Sequence, residues 1–133
     1  MEQNKGILIR EAHFPGKAPI EAYGNGGFRF ADMSHKGSIL CLPSGVHGWK
    51  VQPVWPVEIE DLSPIIAEKA EIEFLLVGTG KELMPIPRAM RVMLKEHGLS
   101  ADPMSTGAAV RTYNVLLAEE RRVAAALIAV DEA

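Results

Sequence analysis

The segment Ile72-Glu73-Phe74-Leu75-Leu76-Val77, running straight into Gly78-Thr79-Gly80, constrains the fold more than any other part of the chain. Near-continuous apolar sequence of strand length, ended by glycines, is how a strand covered on both faces reads. Such strands belong to parallel sheets with helices above and below. A parallel neighbour needs a crossover, most simply a helix, and the sequence supplies one. Pro87–His97 reads as a helix with Ala89, Met90, Met93 and Leu94 inward, Arg88, Arg91 and Lys95 outward, and Gly98 as its C-terminal stop.

The pattern then repeats. A short strand is expected over Leu99–Met104, placed at an edge or a strand end by Pro103. Ser105-Thr106 caps a second helix, about Gly107–Glu120, whose inner stripe is Ala109, Tyr113, Leu116 and Leu117. In Val123–Val130 the alanines favour helix, while an apolar run after Arg121-Arg122 suits a closing strand, and pattern alone leaves both open. Two strand–helix–strand passages in succession imply right-handed crossovers and a layered α/β core.

The N-terminal portion has a different rhythm. Residues 1–17 are polar apart from Ile7–Ile9 and read as a loosely attached arm, leaving residues 18–133 as a single domain. Ile20, Ala22, Phe28 and Phe30 alternate around Gly24-Asn25-Gly26-Gly27, which predicts a β-hairpin. Ser38–Leu42 is a compact apolar strand stopped by Pro43-Ser44-Gly45, with a further strand expected at Gly48–Val51. Ser63 as N-cap and Pro64 at the first helical position open a short helix ending near Ala70. Antiparallel strands are thus added to the α/β core.

Composition narrows the function classes. A chain of 133 residues, 47% apolar, has the size and core material of one domain. A net charge of −3 and 6% aromatics, not interleaved with basic residues, disfavour a nucleic-acid partner. Cys41 is the one cysteine, which rules out an intramolecular disulfide and fits a reducing compartment. Met1-Glu2-Gln3-Asn4-Lys5 lacks the apolar core of a signal peptide, and no apolar run approaches the roughly 20 residues of a membrane span. A cytoplasmic location is expected.

The site candidates cluster at strand ends. Gly78, Thr79 and Gly80 end a buried strand ahead of a helix, where backbone amides can face an anion. No third glycine follows at the fingerprint spacing, and Lys81-Glu82 is not a P-loop Lys-Ser/Thr, so the alternative is a sharp structural turn. Ser105 and Thr106 open at the same end if their strands are neighbours, with Arg88 as the nearest cation, though capping explains both hydroxyls. Asn114 is expected at the core boundary, bonded to local backbone. Trp49 and Trp55 either close the core edge or anchor a partner. His13, His35, His47 and His97 have no ligand spacing, so no metal is expected; no cofactor motif and no catalytic constellation is legible.

From about Gly26 onward the chain resembles a known family. The resemblance is carried by Leu-Leu-Val-Gly78-Thr79-Gly80, Leu94-Lys-Glu-His97-Gly98-Leu99, Met104-Ser-Thr106, Arg111-Thr112-Tyr113-Asn114-Val115-Leu116 and Arg122-Val123-Ala124-Ala125. That family of small α/β domains, of unknown molecular function, includes mitochondrial respiratory complex I (NADH:ubiquinone oxidoreductase) assembly factor three and an adipogenesis-associated protein. The resemblance implies a three-layer α/β sandwich with a central mixed, partly parallel sheet, helices packed on it and an added antiparallel β-hairpin region. It tips Val123–Val130 towards strand. Ser105 stands where relatives often carry Asp or Gln, and Pro103 replaces a β-forming residue. The family supplies no catalytic residues. It implies a non-enzymatic binding or assembly module with a protein partner. The alternative is a small-molecule or anion site at Gly78, Thr79, Gly80, Arg88, Ser105 and Thr106.

Overall fold

The computed structural model describes residues 13–133. Of the arm expected over residues 1–17, the part up to residue 12 lies outside the described residues, and His13–Pro15 form a strand, β1. It is followed by β2 (Ile20–Gly24), β3 (Gly27–Phe30), β4 (Met33–Lys36), β5 (Ser38–Leu42) and β6 (Gly45–Trp49). Next come helix α1 (Ser63–Ala67), β7 (Phe74–Gly78), α2 (Arg88–Glu96), β8 (Ala101–Met104), α3 (Thr106–Ala118) and β9 (Val123–Leu127). A six-stranded mixed sheet has the order β1-β6-β5-β9-β7-β8, and β2-β3-β4 form a separate antiparallel sheet.

The six-stranded sheet is the middle layer, and side-chain alternation sorts its residues between two cores. Leu40, Leu42, Leu75, Val77, Ala124 and Ala126 face one side, where Ile65 of α1 and Met90 and Leu94 of α2 cover them. Ile39, Cys41, Leu76, Ala125 and Leu127 face the other, under Ala109, Val110 and Tyr113 of α3 and Phe28 and Phe30 of the small sheet. This is the three-layer sandwich with a mixed sheet and an added antiparallel region.

Local chemistry explains most of the elements. In the β2–β3 turn Asn25 and Gly26 both have positive φ, 53° and 77°, which suits the Asn-Gly pair. Ser105 caps α3, accepting from the Ala108 amide at 3.2 Å. Helix α2 ends on Gly98 (φ 79°): the Leu99 amide reaches the Leu94 carbonyl (2.9 Å) and the Gly98 amide the Lys95 carbonyl (2.9 Å), satisfying the last turn. Pro103 lies on β8, an edge strand, as its missing amide requires. Val123–Leu127 is a strand, because both of its edges find partners.

Several expectations need correction. The strand expected at Gly48–Val51 is Gly45–Trp49, because Pro43-Ser44 is a hairpin turn and pairs Leu42 with Gly45. Strand β4 has no counterpart in the sequence pattern, since only His35 of its four residues is buried. Ser63 is not an N-cap: a 3-10 turn over Ile59–Leu62 runs into α1, so Ser63 is already helical (φ −58°, ψ −35°). Ala89 is exposed rather than inward, and Ile86 and Leu99 bracket the buried side of α2 instead. Both tryptophans close the core, their indole N–H groups donating to Asp61 O (3.0 Å) and Pro85 O (2.9 Å).

Asn114 departs furthest from its expected role. Its side chain accepts from the Ile20 amide and donates to the Ile20 carbonyl, both at 2.9 Å and 94 residues away. It acts as the missing strand partner of β2 and fastens the small sheet to α3. The turn at the far end of that sheet is fastened too, by Asn25 and Gly26 amides on the Asp131 and Val130 carbonyls (2.7 and 2.9 Å). Asn114→Ala strands two partly buried backbone groups, so we expect a loss of about 1–3 kcal/mol in urea denaturation, with faster hydrogen exchange at Ile20. An unchanged midpoint would show that the small sheet is held by apolar packing alone.

Candidate functional site at the carboxyl ends of the parallel strands

Strands β7, β8 and β9 are parallel, with β7 in the middle, so their carboxyl ends open at one edge of the molecule. After β7 the chain leaves to α2 on one face, and after β8 to α3 on the other. Adjacent strands whose connections part in this way create a crevice where ligands of open α/β sheets bind. Gly78, Thr79, Gly80, Ser105 and Thr106 all converge there.

The protein uses the polar groups of this crevice itself. The Thr79 amide donates to the Met104 carbonyl (2.9 Å) and the Thr106 amide to the Gly80 carbonyl (2.8 Å), stitching the two loops together. The Gly80 amide donates to Thr106 Oγ1 (3.0 Å), and that hydroxyl donates onward to the Ile128 carbonyl beyond β9 (2.7 Å). Thr79 Oγ1 accepts from the Met84 amide (2.9 Å) and donates to the Glu82 carbonyl (2.7 Å), with the Met104 carbonyl more distant at 3.2 Å. Thr106 is 0% and Thr79 4% exposed. A Cβ on Gly78 would come within 2.9 Å of Thr106 Cα, so only glycine lets α3 start this close. Gly80 has open space around it but φ +117°, so its need for glycine is conformational.

Arg88, the first residue of α2, is exposed, and among the described residues its side chain makes no hydrogen bond or ion pair. The open space at this end is a cleft of about 270 Å³ lined by Gly80, Lys81, Ser105, Gly107, Arg111 and Glu132. A second hollow of about 340 Å³ shares Gly80, Lys81 and Glu132. Lys81 and Glu132 approach to 3.9 Å, both largely in solvent, which makes a weak pair.

Elsewhere the fold joins Ser44, His47 and Glu68, a trio invisible in the sequence because Glu68 is 24 residues from Ser44. Ser44 donates its hydroxyl to Glu68 Oε2 (2.6 Å) and its amide to Oε1 (2.8 Å), while His47 Nε2 lies 2.8 Å from Ser44 Oγ. With the hydroxyl proton directed at Glu68, His47 is the donor to Ser44 and not its base. The trio clamps the β5–β6 turn to the end of α1. Among the described residues no group of three His, Cys, Asp or Glu side chains is placed to hold a metal ion.

Cys41 is fully buried and paired with Tyr113. Burial pushes its thiol up to about 12, partly offset by the hydrogen bond from Tyr113, while burial and the neighbouring Cys41 raise Tyr113 as well. Such a thiol packs as an apolar residue and does not react.

A mixed sheet between a helical layer and a layer of helix plus small sheet defines the class of this protein, a three-layer α/β sandwich with its parallel strand ends bound shut by threonines. The chain belongs to the family described as protein of unknown function (DUF498/DUF598), whose model matches residues 20–128. An uncharacterised protein of Rhodobacter capsulatus is 40% identical over 119 residues, 90% of each chain. The NADH dehydrogenase (ubiquinone) 1 alpha subcomplex assembly factor 3 of Danio rerio is 30% identical over 122 residues, 92% of this chain and 70% of its own length. A crystal structure described as an outer membrane protein from Bartonella henselae is 62% identical, with a TM-score of 0.84, covering 90% of this chain and all of that one. No helix among the described residues is long and apolar enough to cross a membrane.

Two consequences are measurable. Thr106→Val keeps the shape and removes the hydroxyl, leaving the Gly80 amide and Ile128 carbonyl unpaired; we expect a loss of about 1–3 kcal/mol in urea melts, with Thr79→Val costing a similar amount. Neutral behaviour of both would show that the hydroxyls are free for a ligand. Separately, the unfolded Cys41 thiol ionises at its ordinary value, near ~8.5, whereas the folded one resists until about 12. Stability is therefore full below about pH 8.5 and falls as pH rises towards 12, because the unfolded state gives up its proton first. The urea midpoint should drop less across that range in Cys41→Ala; equal pH dependence would contradict the assignment.

Proposed function

We propose that this chain is a non-enzymatic protein-binding module that serves the assembly of a larger complex, acting in the cytoplasm. The reading extends to this chain what the assembly factor of Danio rerio is named for, and a respiratory complex of the NADH dehydrogenase type is the leading candidate. The observation that carries it is the fate of the crevice, where the amides and hydroxyls that would grip a ligand are spent on joining β7, β9 and α3. Relatives supply the context, and the fold alone supplies no chemistry. Affinity purification of the tagged chain from its native cell should recover the same protein partner reproducibly. Recovery of no reproducible partner would count against the reading.

The cleft beside the crevice favours a second reading, a small anion or carboxylate site. Gly80 and Ser105 would contribute from its lining, with Lys81 and Arg111 as its cations; Gly78, Thr79, Thr106 and Arg88 are not among its lining residues. A ligand at ~100 times its dissociation constant adds roughly 2.7 kcal/mol of stability if it binds only the folded chain. A thermal-shift screen of nucleotides, phosphates and carboxylates should show a shift that Lys81→Ala/Arg111→Ala abolishes. No shift from any of them removes this reading.

A further inference from the structure

Helix α2 carries a charge arrangement that helix physics disfavours. Arg88, Arg91 and Lys95 recur at spacings of three, four and seven residues, which sets them along one exposed stripe. Like charges at those spacings repel instead of supporting the helix. Arg88 also stands in the first turn, where the helix dipole disfavours a cation, with no acid there and no side-chain cap from Pro87. Among the described residues none of the three cations makes an ion pair or a side-chain hydrogen bond. The chain as a whole is acidic, with a net charge of −3.

Apolar side chains accompany the stripe. Val92, on its flank, is 45% exposed, and the loop entering the helix leaves Leu83 61% and Met84 43% exposed. That loop is anchored, since Trp55 donates its indole N–H to the Pro85 carbonyl at 2.9 Å and Met84 donates its amide to Thr79 at 2.9 Å. The apolar pair is presented on a fixed support.

We propose that the outward face of α2, with the Leu83–Met84 loop, docks an acidic amphipathic segment of a partner protein. The proposal rests on reading the chain as a protein-binding module. The partner's carboxylates meet Arg88, Arg91 and Lys95, and its apolar side chains cover Val92, Leu83 and Met84. Charge complementarity chooses this occupant: opposite charges turn three mutually repelling cations into charge-assisted pairs and remove the cost the helix carries alone. An anionic bilayer fits less well. A bilayer surface presents its field to the whole acidic protein, whereas a peptide segment meets only the stripe within a Debye length of about 8 Å.

The test places the photo-crosslinker p-benzoylphenylalanine at Val92 of the whole chain in its native cell and, separately, at Val115, 56% exposed on α3. Irradiation should give a protein adduct from position 92 whose cross-linked peptide is rich in Asp and Glu. Arg88→Glu/Arg91→Glu/Lys95→Glu should lower its yield about tenfold or more, with the fold intact by circular dichroism. An adduct from position 115 but not 92 overturns this surface and leaves the protein-binding reading standing. No protein adduct from either position, together with an empty affinity purification, overturns both. A lipid adduct at 92, a non-acidic cross-linked peptide, or a yield indifferent to charge reversal also overturns the proposal.

Discussion

Strand β9 is bonded along both edges and covered on both faces. It runs antiparallel to β5 and parallel to β7, and so joins the antiparallel and parallel halves of one sheet. Ala124, Ala125 and Ala126 are all 0% exposed, Ala124 and Ala126 on the side of α1 and α2 and Ala125 on the side of α3. Small side chains at the centre let both outer layers approach closely, and larger ones would force them apart against a close-packed interior. The last strand in sequence is therefore the one that completes the fold, and β5 and β7 share no edge until it is placed between them.

Thr106 extends that dependence to the carboxyl end of the sheet. One hydroxyl accepts from the Gly80 amide and donates to the Ile128 carbonyl, tying the ends of β7 and β9 to the first turn of α3. Buried and fully satisfied, such a bridge is rigid, and every group that it satisfies would be costly to leave unpaired. The geometry has a functional reading as well. In an open α/β sheet this is where a ligand is gripped by amides, and here the grip is turned inward. What this end turns outward is the cleft lined by Gly80, Lys81, Ser105 and Arg111, not the buried threonine hydroxyls.

The legible parts of the sequence were those whose pattern is imposed locally. Phe74–Gly78 announces itself because both faces are buried, and Asn25-Gly26 because a two-residue turn demands positive φ. Pro103 gave away an edge, and Ser105 a cap. The missed elements lack such a demand. Met33–Lys36 borders the small sheet with only His35 buried, so alternation does not show. Gly45–Trp49 carries glycines that read as a stop. Of the candidate site, the convergence of Gly78–Gly80 with Ser105-Thr106 could be foreseen from two parallel strands. The inward turn of both threonine hydroxyls could not, because their partners Met84, Met104 and Ile128 are named by the fold. Asn114 lies at the core boundary as its place beside Tyr113 implies, but its partner is Ile20, 94 residues away, to which nothing local points.

The central claim is that the strand-end crevice is a structural lock. Native-state hydrogen exchange measured amide by amide tests it most directly. If the lock is real, the amides of Thr79, Gly80 and Thr106 exchange as slowly as those of β9, opening only when the whole domain unfolds. Exchange at these three amides at the rate of a free loop, while β9 remains protected, would contradict the account and return the crevice to the status of an open site.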